Sequence, residues 1–349
     1  MTLEEWLRKN VPLVRVSSAE LRYERMERQA AEPLPWVHRP ADPARPFDWV
    51  DACLIGAFLS ALGDVKRVLD IGTGDGWPAL PLARHVPTVV AVDASPKRCQ
   101  VARENARLQG LANVEVTCAP AERLPFPGEA FDGAVAGTAI EQCDDPALAL
   151  REALRVLRPG GRLAATCEDL RAELKADVEE EAELYLEGDV AIYRLCHRSR
   201  APLREAEYEL RFHASAPIRS AASQVRPVPS FRAESTEPGL RPVAPDDELL
   251  GIPFLSRARA ELISARYFEL RHRTPEEMTA LAEDAGFTCV RAYGPITVLA
   301  APFFLALSEA GLLPKLSSHM DEVTLAFGRL HPFVPPGKSS VFFLVGRKA

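Results

Sequence analysis

Between residues 65 and 167, short apolar runs alternate with amphipathic stretches, with strand candidates at 66–70, 88–93, 113–118, 131–137 and 161–167. Strands separated by helical periodicity predict βαβ units and a parallel sheet. The intervening helices carry their own boundary signals: Ser95 before Pro96 with Gly110 at the far end, and Asp145 before Pro146 with a stop at Pro159-Gly160-Gly161. Upstream, residues 3–31 place apolar side chains at helical spacing, Pro33 to Pro46 form a proline-rich connector, and 48–62 is again helical, so 1–64 reads as an N-terminal helical arm or lid.

The alternation breaks after Cys167. Residues 169–273 hold acidic helix-like sequence, the period-two segment Tyr208-Glu-Leu-Arg-Phe212, a proline-rich stretch and the strand-like Tyr267 to His272. They read as an inserted α+β region in which two or three strands pair as a small antiparallel cap. Regular structure resumes at Thr274, where an N-cap, Pro275 and Glu277 in capping-box position open a helix that ends at Gly286. A strand at 288–293, a helical insertion at 297–333 and a last strand at 341–345 complete the pattern. The expectation is an α/β, doubly wound, Rossmann-like core made of 65–168 and 274–349, interrupted by the 169–273 insertion.

Chemistry concentrates where the first of these strands ends. Val68-Leu-Asp-Ile-Gly-Thr-Gly-Asp-Gly76 runs a buried strand into a loop with glycine at 72, 74 and 76. Without a Cβ, such a loop turns tightly and lets backbone N–H groups approach a ligand closely. Asp93, closing the next apolar run, offers an acceptor where a ribose diol would sit. The pair indicates a nucleoside-containing cofactor. Dinucleotide sites use similar parts, so a nicotinamide-dependent oxidoreductase is one reading. Its fingerprint, however, wants the third glycine three residues after the second to seat a pyrophosphate, and position 77 is Trp.

The ordered segments Val68 to Ala83, Val89 to Ser95, Ala121 to Pro127, Phe131 to Val135 and Leu150 to Leu163 resemble class I S-adenosylmethionine-dependent methyltransferases. The nearest group is the small-molecule branch that includes ubiquinone and menaquinone biosynthesis. The resemblance implies a seven-stranded, mostly parallel sheet with its last strand antiparallel. It also implies that Asp70, Gly72, Thr73, Gly74 and Gly76 hold the methionine moiety of S-adenosylmethionine, that Asp93 with Ala94 takes the ribose, and that Ala121 and Glu122 meet the adenine edge. Thr138 and Ile140 would lie near the methyl group. The family often has an acidic residue just before the Ala-Glu pair, where this chain has Pro120. A non-catalytic protein that binds S-adenosylmethionine is the further alternative.

Methyl transfer from a sulfonium is an in-line displacement with a neutral leaving group, S-adenosylhomocysteine, so positioning supplies most of the catalysis and no metal is required. A base helps where the nucleophile arrives protonated. Glu141, Glu168 and Asp169 follow strand ends on the cofactor side and are the candidates for base or acceptor anchor, against the plainer reading that they cap helices. Tyr23, Trp36 and Trp49 could close a lid, although aromatic residues so spaced more often pack an arm onto its domain. Cys196-His197 lacks a second ligand pair at metal spacing, so no metal site is expected.

Composition narrows the partners. A net charge of -7 disfavours nucleic acid, and the resemblance implies a small-molecule acceptor. Seven cysteines without a Cys-x-x-Cys pair suit a reducing, cytoplasmic setting, and the acidic, amphipathic Met1 to Leu7 does not read as a secretory signal. The longest apolar run, Ile296 to Leu307, falls short of the ~20 residues a spanning helix needs, so stable membrane insertion is not expected. Edge strands of the insertion could pair between subunits in a homodimer.

Overall fold

A computed structural model describes residues 1–18, 20–21, 41–225, 228–229, 238–337 and 339–349. The chain divides into two compact units, a core of 33–172 with 273–349 and an inserted unit of 1–32 with 173–272.

Apart from the two-residue β1 (Val14–Arg15), the first strands all belong to the core. They are β2 (Arg67–Ile71), β3 (Thr88–Asp93), β4 (Val114–Cys118), β5 (Phe131–Gly137) and β6 (Leu157–Glu168). After the inserted strands β7 (Val178–Glu187), β8 (Val190–Arg200), β9 (Leu203–His213), β10 (Val228–Pro229), β11 (Pro238–Gly239), β12 (Arg241–Pro242) and β13 (Leu262–Arg271), the core resumes with β14 (Thr288–Tyr293) and β15 (Val341–Arg347). The core sheet has seven strands in the order β14-β15-β6-β5-β2-β3-β4. Pairing is parallel from β6 through β4, and β15 runs antiparallel to both its neighbours. The fold is therefore α/β, doubly wound and Rossmann-like.

Both sheet faces are covered, which explains the continuous apolar runs of the parallel strands. Val68, Val89 and Val135 pack on one face with Trp49 and Phe58 of the helix Pro46–Leu62. Leu69, Val90 and Ala134 pack on the other with Leu150 of the helix Pro146–Val156 and Met278 of the helix Pro275–Asp284. The caps form as the side chains dictate. Ser95 Oγ accepts from Arg98 N–H at 3.3 Å, Asp145 Oδ1 from Leu148 N–H at 2.9 Å, and Thr274 and Glu277 make a reciprocal capping box.

The helical insertion folds as Thr297–Glu309, Leu313–Leu316 and Met320–Gly328. A Cβ on Gly56 would stand 2.6 Å from Thr324 O, so Met320–Gly328 crosses Pro46–Leu62 with backbones in direct contact. Among the described residues, no single helix is long and apolar enough to cross a membrane; Thr297–Glu309 and the 313–328 stretch reach that length only as a pair bent by 111°.

Two expectations need correction. The 1–64 arm is divided, because the described helices Leu3–Asn10 and Pro46–Leu62 bury apolar faces in different cores: Leu3, Trp6 and Leu7 join Leu184, Tyr193 and Leu210 of the inserted unit, whereas Trp49 and Phe58 join the core unit. The acidic start of the insertion is not helical but a long hairpin, β7 and β8, turning at Gly188 with φ +61°. Ala182 and Leu184 face the apolar cluster, while Glu181 and Glu183 alternate with them and are met across the strands by Arg198 and Arg194. The inserted sheet has six strands, β1-β13-β9-β8-β7-β12, with two-residue strands at both edges.

Candidate functional site

The cofactor-side candidates all fall at or just beyond the C-terminal ends of the core strands, where open α/β sheets bind ligands. Asp70 is the penultimate residue of β2 and Gly72, Thr73, Gly74 and Gly76 follow it, Asp93 ends β3 and Ala94 follows, Ala121 and Glu122 follow β4, Thr138, Ile140 and Glu141 follow β5, and Glu168 ends β6.

The loop is fixed before any ligand arrives. Gly72 N–H and Thr73 N–H both donate to Val92 O, at 2.8 and 2.9 Å. Gly72 has φ +74°, and a Cβ there would fall 2.3 Å from Ala139 Cβ, so this glycine lets the turn after β5 press directly on the loop. Gly74 differs. At φ +55°, a Cβ on it would meet nothing within 4 Å, so the loop opens onto free space at this residue.

Two carboxylates organise the strand ends. Asp93 Oδ2 accepts from Gly74 N–H at 2.9 Å and Oδ1 from Ser95 N–H at 2.8 Å, joining the loop to the next helix start. Burial pushes its carboxyl above the usual value, and both oxygens keep lone pairs for further donors. Asp70 is fully buried, and Oδ2 accepts from Ala79 N–H at 3.1 Å. Burial, with the Asp93 charge adding to it, lifts Asp70 to about 8, against the opposing hydrogen bonds of the buried Thr73 hydroxyl and Ala79 N–H.

On the far side of the loop, Ile140 is 1% exposed and belongs to the apolar cluster that contains Leu150. Thr138 takes φ +49°, a costly conformation for a β-branched residue, and is held there because its N–H donates to Thr166 O at 2.9 Å and Oγ1 at 3.1 Å. Glu141 is buried: Oε1 accepts from Glu168 N–H at 3.0 Å, and the Cys167 thiol hydrogen-bonds its carboxyl. Burial, and then the charge of Glu168, raise it to about 8, and its contact with Glu168 N–H clips two strand ends together. Asp169 is engaged by Arg171, at 2.9 and 2.7 Å, which accounts for its carboxylate without chemistry. Glu122 Oε1 stands 3.4 Å from Asp145 N–H at a helix start.

Sequence reasoning missed three contributors. Asp75, between two of the glycines, forms a buried ion pair with Arg98, and its carbonyl accepts from Asn105 Nδ2 at 2.9 Å, locking the loop to the helix Pro96–Leu108. An acid inside a glycine loop was the available signal. Thr166 holds the strained Thr138, and Cys143 sits among the charges of Glu122 and Glu141, its thiol pushed up first by burial. Of the lid candidates, Tyr23 and Trp36 lie outside the described residues. Trp49 is fully buried, stacks on Phe304 at 5.2 Å and donates to Pro43 O, so it packs rather than closes a lid. His197 lies on β8 between Glu4 and Glu180 at 3.0 Å each, and no group of three potential metal ligands exists among the described residues.

Comparison with known proteins finds similarity over the segment that holds the loop. Residues 69–165 match a family model described as a methyltransferase domain. Over 97 residues the chain is 40% identical to 2-methyl-6-phytyl-1,4-hydroquinone methyltransferase 2, chloroplastic, of Oryza sativa subsp. japonica, covering 27% of each chain. Over 100 residues it is 38% identical to the ubiquinone/menaquinone biosynthesis C-methyltransferase UbiE of Geobacter sulfurreducens, covering 28% of this chain and 39% of that one. Among solved structures, YcgJ of Bacillus subtilis matches at 32% identity and a TM-score of 0.32, covering 34% of this chain and 50% of that one. Residues 69–165 thus carry a methyltransferase domain. The chain spans well under half the length of these curated relatives.

Proposed function

We propose that the protein transfers a methyl group from S-adenosylmethionine to a small-molecule acceptor by direct in-line displacement. The observation that carries this reading is the loop at 72–76, open at Gly74, with the buried Asp70 carboxyl behind it and Asp93 at its side. Bound there, the cofactor supplies an electrophilic methyl on a sulfonium whose departure leaves a neutral thioether. The chain's own residues hold and orient. Asp70 offers a buried acceptor for the cofactor's amino group, Asp93 accepts from ribose hydroxyls while keeping the loop in place, and Ala121 with Glu122 bounds the adenine side. Thr138 fixes the turn beyond β5 close to the loop. Glu168 is the acceptor-side carboxylate, its backbone N–H anchored by Glu141. Residues 169–273, leaving the core at the end of β6, are the source of acceptor specificity.

Calorimetry with S-adenosylhomocysteine on the folded, full-length protein tests the reading. Binding is expected, weakened in Asp93→Ala by ~10- to 150-fold, the loss of a hydrogen bond to a charged group. No binding by the wild type would sink the proposal. Binding without methyl transfer to any of a broad panel of hydroxyl, amine, thiol and phenol acceptors would remove its catalytic part.

A further inference from the structure

Two of the cysteines stand together at the edge of the candidate cofactor site. Cys99 lies in the first turn of the helix Pro96–Leu108 and is fully buried; its thiol reaches Asp93 O at 3.5 Å and Thr117 O at 3.6 Å. Cys118 ends β4, is exposed, and directs its thiol to Ala94 O at 3.6 Å. Cys118 is the cross-strand partner of Asp93, and its side chain is in hydrogen-bond contact with Cys99. The two sulfurs thus share the backbone of Asp93 and Ala94, one reachable from solvent and the other behind it. Asp93 O also accepts from Ala119 N–H at 2.9 Å, so the residue that would hold the ribose is tied to both thiol-bearing elements.

We infer that Cys118 is a thiol modification site with Cys99 as its resolving partner, and that their disulfide weakens cofactor binding. The second half rests on the function proposed above. The oxidant is a low-molecular-weight disulfide. The Cys118 thiolate attacks one of its sulfurs, forming a mixed disulfide and expelling one thiolate; Cys99 then attacks Cys118 sulfur, forming the internal disulfide and expelling the second. The protein loses two electrons, the reagent is reduced to two thiols, and the two protein thiol protons end on them. Burial lifts the Cys99 thiol to about 12, so closure is the slow step and quickens as pH rises. Closure takes the Cys99 donor away from Asp93 O and draws two sulfurs from contact to bonding distance, shifting the strand end that carries Asp93.

Oxidised glutathione is the probe, applied to the full-length protein with exposed Cys289 replaced by Ser, followed by non-reducing peptide mapping and S-adenosylhomocysteine titration. The expected result is a 99–118 disulfide, affinity about tenfold weaker than in the reduced protein, as for a displaced ligand-holding group, and full recovery with dithiothreitol. C99S should stop at the mixed disulfide on Cys118, and C118S should form neither product. Absence of a 99–118 link, or a link that leaves affinity unchanged, overturns the inference. A reduced protein that does not bind S-adenosylhomocysteine is the separate failure of the proposed function, and the mapping then still decides the disulfide.

Discussion

Replacing Asp70 by Asn separates what the fold needs from what a ligand needs. The carboxyl is fully buried, and burial raises it from 3.8 to about 8. A folded value above the unfolded one means that the folded protein binds the proton more tightly. Wild-type stability therefore falls as pH rises from about 4 to about 8. At ~1.4 kcal/mol per pH unit, that window sets a ceiling of ~5–6 kcal/mol, reached only if the site does not relax. Asn keeps the acceptor for Ala79 N–H and has no charge to bury. The variant should match the wild type near pH 4 to within about 1 kcal/mol and exceed it by ~2–5 kcal/mol at pH 8. Urea unfolding at pH 5, 6.5 and 8, followed by tryptophan emission with m values compared, measures this. A stability difference that stays flat across the window would refute the argument. The same variant should bind S-adenosylhomocysteine ~10- to 100-fold more weakly, since an amide replaces a charged acceptor.

The glycines of the loop should behave differently from one another. Gly74→Ala is expected to lower stability by only ~1–2 kcal/mol, the cost of a left-handed Cβ, yet to weaken S-adenosylhomocysteine markedly; Gly72→Ala, with its clash on Ala139, should lose stability by several-fold more in paired thermal melts. Ligand binding by the wild type at pH 6.5 should release close to one proton as Asp70 ionises, seen as a dependence of calorimetric heat on buffer ionisation enthalpy; identical heats in all buffers would contradict the Asp70 assignment. In the inserted unit, burial would raise Glu4, but hydrogen bonds from Arg204 and Tyr208 and the nearby His197 reverse this and hold it at about 2 against 4.5. Its contribution, ~2–3 kcal/mol, is present above pH 4.5 and is lost as pH falls towards 2. Hydrogen exchange of β8 and β9 amides over that range should show the loss in the wild type and its absence in Glu4→Gln.

The core was legible because its signals are local. Ser95, Asp145 and Thr274 announce helix starts by side chains that bond within one turn, and Val68, Leu69 and Ile71 are apolar because both faces of β2 are covered. The insertion misled because its polar residues are satisfied at long range. Glu181 and Glu183 read as a solvated helix face until Arg194 and Arg198, on the neighbouring strand, are seen to meet them. At the site, backbone roles follow from glycine spacing, whereas the Asp75–Arg98 pair, the Glu141 clip and the Thr166 hold on Thr138 join residues 23 to 28 positions apart and have no local pattern.

The inserted sheet cannot be finished from contiguous sequence. β1 pairs in parallel with β13, and the helix Leu3–Asn10 is capped by Glu180, whose carboxylate takes the Leu3 and Glu4 N–H groups at 2.8 and 2.9 Å. On a ribosome these residues emerge long before their partners, and the whole first half of the core unit is synthesised in between. That core can acquire its β2 to β6 pairings while the amino-terminal helix still lacks the sheet it packs on. Closing so long a loop is slow. The inserted sheet should therefore lag behind the β2 to β6 pairings in the nascent chain, with Leu3, Trp6 and Leu7, exposed meanwhile, the surface for which a chaperone would compete.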